Sequence, residues 1–286
     1  MKPAPFDYAK PATLEQAFSL LESHGDDAQV LAGGQSLLPA LNMRLSAPAV
    51  LVDISALDTL RGISLGNGTL RVGAMTSHTE LLASEDVARA APLLAQAVSH
   101  IAHPAIRNRG TFGGSLAHAD PAAELPACVL ALDASLEIAG RGGVRKVAAA
   151  DFFRGLYETD LGPGEILTAA EIPVLQQGYR SGFSEFARRT GDFAMSALAA
   201  HARFEDDRIH DLRLVYAGID IRPARARAAE QAVEGKAVSA DLLAGARARL
   251  GDDLKPTGDL HASGAMKLHL SGVLLERVLS AMAGAP

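Results

Sequence analysis

Of 286 residues only one, Cys128, is a cysteine. A disulfide needs two thiols, a structural zinc site several Cys or His ligands, and an iron–sulfur cluster generally four thiolates, so this chain alone cannot hold an ordinary Cys-ligated cluster. Basic residues are not in excess: 27 Lys and Arg stand against 33 Asp and Glu, a formal net charge of −6, which leaves no global footprint for nucleic acid. Long apolar runs are missing too. The longest charge-free stretch of the first half, 90–106, is interrupted by Pro92, Gln96, Ser99, His100, His103 and Pro104, whereas a membrane span needs about 20 predominantly apolar residues. Nothing in Met1-Lys2-Pro3-Ala4-Pro5-Phe6 reads as a secretory leader, so the expected compartment is the cytoplasm. Several signatures are also absent: G-x-x-x-x-G-K-[ST], a strand-linked G-x-G-x-x-G, H-E-x-x-H and G-x-S-x-G.

What is present is enough apolar material for a full core, 48% of residues, in a chain beyond the usual single-core range of roughly 100–200 residues. Two domains are expected, dividing where the composition shifts at Gln176-Gln177-Gly178: residues 1–177, in two parts of about 1–57 and 58–177, and residues 178–286. In the first part, spacing predicts a helix over 13–23 with Thr13 and Gln16 as a capping box, a strand over 29–32, a helix over 36–45 and a strand over 49–52. A hairpin about Gly66-Asn67-Gly68 follows, then helices near 77–84, 92–100 and 122–132 and strands at 135–139, 144–147 and 165–173. The tail alternates as an antiparallel sheet over 183–189, 197–204 and 209–216 and closes with helices near 223–233, 240–250 and 266–282. The fold class is α+β.

The informative pattern is a strand followed by Gly-Gly and a small polar residue, occurring twice: Leu31-Ala32-Gly33-Gly34-Gln35-Ser36 and Thr111-Phe112-Gly113-Gly114-Ser115. Glycine pairs let successive N–H groups point into one concavity and remove the Cβ atoms that would block a phosphate. A helix starting directly afterwards adds free N–H groups, and Ser36 and Ser115 would add hydroxyls. Two such loops flanking a diphosphate would hold a dinucleotide without Lys or Arg. Tight turns are the alternative, and spacing alone leaves both open. His100, His103 and His118 read as surface or packing residues, and Cys128, with Val129 and Leu132, as part of an apolar helix face. The basic run 222–227 reads as a solvated helix start or a contact for an acidic partner.

With LAGGQSLLPAL and IRNRGTFGGSLAHADPAAELPA, and VGAMTSHTEL, GEILTAAEIP and RRTGDFAMSA in the same chain, the sequence resembles the FAD-binding medium subunit of molybdenum hydroxylases. That family includes the carbon monoxide dehydrogenase flavoprotein and the flavin domain of xanthine dehydrogenases. The resemblance implies a two-part FAD-binding domain of the PCMH type followed by a smaller C-terminal α+β domain with an antiparallel sheet. It implies FAD contacts at Ala32, Gly33, Gly34, Gln35 and Ser36, and at Thr111, Phe112, Gly113, Gly114 and Ser115. Glu124 takes the place of an acidic residue, Asp in several relatives, that bonds ribityl or ribose hydroxyls. Leu167 is implied near the flavin ring, and Phe193, where some relatives carry Tyr, beside it; a core aromatic at a strand end is the other meaning of Phe193. Ala74, Met75 and Thr76 are a weaker third contact.

The same resemblance implies partners: a small subunit with two [2Fe–2S] clusters and a large molybdopterin subunit, in a heterotrimer or a dimer of heterotrimers. Substrate oxidation would occur on the molybdenum subunit, electrons would pass through FAD to an external acceptor, and no residue here would act as catalytic acid, base or nucleophile. A free-standing FAD-dependent oxidoreductase is the competing reading. It would need a base over the flavin, for which the sequence offers no candidate.

Overall fold

In the computed structural model, which describes residues 2–284, the chain opens with β1 (Asp7–Ala9), α1 (Leu14–His24), β2 (Ala28–Leu31), α2 (Leu37–Asn42) and β3 (Val50–Asp53). The three strands form a parallel sheet in the order β1-β3-β2. β3 is central and fully buried, with Val50, Leu51 and Val52 giving the continuous apolar run expected of a parallel strand covered on both faces, and Asp53 at its carboxyl end. Helix α1 lays Ala17, Phe18 and Leu21 into a core with Val52, Ile54, Leu57 and Met75. Its cap differs from the predicted box: Thr13 Oγ1 accepts from Gln16 N, but the Gln16 side chain accepts from Ala12 N at 2.8 Å, one residue beyond the cap. Helix α2 is shorter than predicted, closed by Leu45 N–H donating to Ala40 O with Arg44 in the left-handed region.

The second part runs through β4 (Ile63–Gly66), β5 (Thr69–Gly73), α3 (His78–Ala83), α4 (Glu85–Ala90), α5 (Pro92–Val98), α6 (Pro104–Arg107), α7 (Phe112–His118), α8 (Glu124–Ala131), β6 (Ser135–Gly140), β7 (Gly143–Ala148), α9 (Ala149–Phe152), β8 (Phe153–Gly155), β9 (Glu158–Thr159) and β10 (Ile166–Pro173). Its antiparallel sheet has the order β4-β5-β10-β6-β7. Helices α5, α7 and α8 supply Leu93, Leu94, Leu116, Leu125 and the fully buried Cys128 to the core over this sheet. The two glycine pairs turn out to be built differently. Gly33-Gly34 follows β2 as a loop, whereas Gly113-Gly114 lies inside the first turn of α7.

The tail comprises β11 (Tyr179–Ala187), β12 (Ala194–Glu205), β13 (Arg208–Ala217), β14 (Ala224–Arg225), α10 (Arg227–Val233), α11 (Ala240–Asp253) and α12 (Gly264–Ala283), the strands in the order β11-β12-β13-β14. Because successive side chains on a strand point to opposite faces, the sheet serves two cores. Ala194, Ala197, Ala199, Val215 and Ala217 join the core of α5, α7 and α8, while Leu198, Ala200, Ala202, Leu214 and Tyr216 pack with the three C-terminal helices. The segment 176–178 is a turn with Gly178 at φ +83°, and hydrophobic packing continues across it.

The basic run is exposed at Arg222 and Arg227, where α10 starts, but Arg222 and Arg225 are also engaged within the chain. Arg225 Nε donates to the carboxylate of Glu230 at 2.8 Å, and Glu230, 7% exposed, also accepts from Leu214 N at 2.8 Å. Arg222 donates to Phe153 O. Glu230→Ala leaves the buried Leu214 N–H without its acceptor and the partly exposed Arg225 unpaired, so it should cost about 2 kcal/mol in urea unfolding. A cost under about 1 kcal/mol, the level of an exposed pair, would show that the pair is dispensable.

Candidate functional site

Three backbone segments meet where the two parts of the first region face each other: 32–36 after β2, 74–78 after β5, and 108–115 leading into α7. They meet without side chains between them. A Cβ on Gly33 would lie 2.1 Å from the carbonyl oxygen of Arg109, and one on Gly113 would lie 2.3 Å from Ala74 Cβ. Gly113 N–H donates to Ala74 O at 2.8 Å, Phe112 N–H to Thr76 O at 2.8 Å, and His78 N–H to Gly110 O at 3.0 Å, so the second and third segments are stitched together. Ser77 caps α3 reciprocally with Glu80, fixing the far side of the second segment.

The two glycine loops differ in what they have left to offer a ligand. Among the described residues, the N–H groups of Gly33, Gly34, Gln35, Ser36 and Leu37 donate to no protein acceptor, and the Ser36 hydroxyl is likewise unengaged. Gly34 sits at φ +73°, a left-handed turn that glycine adopts without penalty. In the second loop the amides of Phe112, Gly113, Gly114 and Ser115 are all used internally, Gly114 N–H by the Thr111 hydroxyl that caps α7. The expectation of two equivalent amide cradles is therefore corrected: 33–37 presents a row of free donors, whereas 111–115 packs through its glycines and offers chiefly side chains.

Beside these segments lies a cleft of about 320 Å³, whose walls include Ala32, Gly33 and Thr111 from the predicted set. The sequence reading missed much of its lining: Lys10, Asp53, Ser55, Arg61, Asn108 and Arg109. A geometric rule locates Lys10 and Asp53. Ligands of open parallel sheets bind outside the carboxyl ends of the strands, and Lys10, Ala32-Gly33 and Asp53 stand at the carboxyl ends of β1, β2 and β3. Arg109 precedes the second glycine pair within the motif already noted. Three cations thus reach a site that was expected to need none. Burial alone would raise the Asp53 carboxyl, but hydrogen bonds from the Tyr8 hydroxyl and the Ser55 amide, with Lys10 nearby, hold it below the usual carboxylate range.

Apart from Met75, the remaining predicted residues lie outside this cleft lining. Leu167, 4% exposed, is in β10 beside the core, one residue before Thr168, whose carbonyl accepts from Ala74 N. Glu124, 9% exposed, opens α8. Phe193 is 70% exposed on the loop between β11 and β12, which excludes its reading as a core aromatic. That loop leans on the start of α6: a Cβ on Gly191 would lie 2.7 Å from the His103 ring. Ala74, Met75 and Thr76 are buried supports, with Met75 and Ser77 alone of that stretch reaching the cleft.

Residues 4–175 match the family model described as the FAD binding domain in molybdopterin dehydrogenase. The chain belongs to this family. Residues 181–282 match the CO dehydrogenase flavoprotein C-terminal domain. Among relatives of the molybdopterin-dehydrogenase FAD-binding domain, the 6-hydroxypseudooxynicotine dehydrogenase complex subunit alpha of Paenarthrobacter nicotinovorans is 37% identical over 98% of this chain and 95% of that one. The carbon monoxide dehydrogenase medium chain of Hydrogenophaga pseudoflava is 34% identical, covering 98% of each. A solved structure of carbon monoxide dehydrogenase from that organism, lacking the Mo-pyranopterin moiety of the molybdenum cofactor, superposes with a TM-score of 0.97 at 35% identity over 99% of each chain. The two-part N-terminal region and the antiparallel sheet of the tail are thus those of the family.

Gly33 allows a test of the loop contact. Gly33→Ala drives a Cβ into a backbone carbonyl, so it should cost about 2 kcal/mol and reduce retained flavin. Gly66→Ala, where a Cβ meets open space, should stay within about 0.5 kcal/mol of the parent. Equal thermal denaturation and flavin content for the two variants would refute the contact.

Proposed function

We propose that the chain is the FAD-binding electron-transfer subunit of a heteromeric molybdenum hydroxylase. The observation that carries this reading is the row of five free amides at 33–37 beside a cleft rimmed by Lys10, Arg61 and Arg109. Free backbone donors and fixed cations are the donor set a dianionic diphosphate needs, and they leave no demand for a bound metal. The residues present therefore fit FAD. The set we assign to it is Ala32, Gly33, Gly34, Gln35, Ser36, Thr111, Phe112, Gly113, Gly114, Ser115, Glu124, Leu167 and Phe193. When bound, FAD supplies a store that exchanges electrons singly or in pairs.

In this reading the amides of 33–37 and the Ser36 hydroxyl orient the diphosphate, while Ser115 offers a second hydroxyl. Glu124 meets the sugar-alcohol part, and Leu167 and Phe193 exclude water from the ring. A small [2Fe–2S] subunit and a large molybdopterin subunit complete the assembly, as a heterotrimer or its dimer. Support comes from relatives named as medium chains or complex subunits and from the single cysteine, which places thiolate-held clusters on other chains. Among the described residues no helix is long and apolar enough to cross a membrane, and we assign the assembly to the cytoplasm.

Purified with its partners, the protein should be yellow, and its flavin should bleach on adding organic substrate only when the iron–sulfur and molybdenum subunits are present. Bleaching of the isolated chain by a small-molecule donor would instead favour a free-standing oxidoreductase. Phe193→Ala should keep the fold, given its exposure, and weaken FAD binding by about 1 kcal/mol, roughly fivefold in Kd. Unchanged affinity by flavin-fluorescence titration would remove Phe193 from the site.

A further inference from the structure

A buried ammonium sits near the start of α12, where packing alone has no use for a charge. The side chain of Lys267 is only 9% exposed; its Nζ lies 2.7 Å from Asp259 Oδ2 and donates to Gly218 O at 2.8 Å. Taking an ammonium out of water is costly unless its bonds are made, so a residue needed only to fill this space would be apolar. We propose that Lys267, held by Asp259, is a positioning residue: it fixes Gly218 as the junction of the two loops that carry Glu124 and Phe193, and through them sets the cofactor-binding geometry. The inference rests on the reading of Glu124 and Phe193 as FAD contacts.

Every side of Gly218 is in use. It follows β13 in the left-handed region at φ +79°. Its N–H donates to Pro121 O at 2.8 Å, its carbonyl receives Lys267, and a Cβ there would lie 2.5 Å from Ala194 O. Pro121 belongs to a tight turn in which Ala123 N–H donates to Asp120 O at 3.0 Å and Ala122 N–H to Asp120 Oδ1 at 2.9 Å, and the next residue, Glu124, opens α8. Ala194 opens β12 directly after Phe193. A displaced Gly218 is therefore passed on to both contacts through backbone alone. The clamp is itself anchored. Asp259 accepts from His261 N at 2.7 Å and Ala262 N at 3.0 Å, and its bond to Lys267, more than these, holds its carboxyl well below the usual carboxylate range. One turn along α12, Ser271 Oγ lies 3.0 Å from Ser196 Oγ of β12, and Ser271 O accepts from the Tyr216 hydroxyl of β13 at 3.2 Å. Helix α12 is thus fixed to both strands whose ends meet at Gly218.

Flavin titration and unfolding of the full chain separate positioning from stability. Lys267→Met keeps an unbranched apolar stem but loses the clamp, and it should raise the FAD Kd roughly tenfold, the scale of a displaced binding group. Asp259→Asn alters a carboxylate 43% exposed, so the fold tolerates it, and should raise Kd about threefold by leaving Lys267 one anchor fewer. Leu243→Ala opens a cavity in the same tail core, at the end of α11 remote from Lys267, since it is Gly251 that lies beside Leu268. It should lower the urea midpoint and leave FAD affinity unchanged. In the FAD-free chain, hydrogen exchange at the Gly218 and Ala123 amides should quicken in Lys267→Met while that of β4 and β5 holds. In a background of Glu124→Gln with Phe193→Ala, Lys267→Met should weaken FAD less than about threefold further, because the contacts it positions are gone. Parental affinity in both Lys267→Met and Asp259→Asn overturns the proposal, as does an equal FAD loss in Leu243→Ala or a full tenfold effect in the double background. If Lys267→Met does not fold, Asp259→Asn decides. A parent chain that binds no FAD, or one whose affinity neither Glu124→Gln nor Phe193→Ala changes, overturns the reading of these contacts and this proposal with it.

Discussion

The site depends on backbone touching backbone. Gly33 lies against the carbonyl of Arg109, and Gly113 lies against Ala74, so three loops from two sheets are pressed together with no side chain to space them. That closeness brings the carboxyl ends of β1, β2 and β3 up to the segment before α7, which forms the cleft. Among the described residues, the amides of 33–37 beside it are left without a protein acceptor. Glycine is needed at these positions less for conformational freedom than for the volume its side chain does not occupy.

Charge is arranged in two separate zones. At the cleft, cations and free N–H groups stand where negative charge is to be received, and Asp53 is held ionised by Tyr8, Ser55 and Lys10. On β11, by contrast, the Glu185 side chain is out of water, one carboxyl oxygen 3.4 Å from His100 Nδ1 and the other without a partner among the described residues.

Much of this organisation is legible in the residues. Apolar periodicity located α1, α5, α8 and the long strands of the tail, because burial on one face dictates their pattern. Short elements such as β1, α6 and β14 escaped, since three or four residues carry no usable period. The second glycine pair was read as an amide cradle like the first because glycine signals either a positive φ or a close approach, and only the structure distinguishes them; Gly113 and Gly114 are helical and lie against Ala74 and the Thr111 hydroxyl. Lys10, Asp53 and Arg109 were missed because a cleft between two sheets gathers residues far apart in sequence. Phe193 changes from an open choice to an exposed side chain. The burial of Glu185 had no local signal at all: it lies within the strand pattern of β11, and only an unpartnered carboxyl oxygen distinguishes it.

The sheet β11-β12-β13 has small residues on the face toward α8, with Ala194, Ala197, Ala199 and Ala217 forming one wall of the first region's core. The tail is therefore not an appendage that can be exchanged like a module. A chimera that took its last hundred or so residues from a relative would import a new wall against an old helix, and would have to carry α5 and α8 along with it. Sequence drift on β12 is likewise constrained from both sides. The surface that such a lineage can freely alter lies in its exposed loops, while the face shared by the two cores changes only when both partners change together.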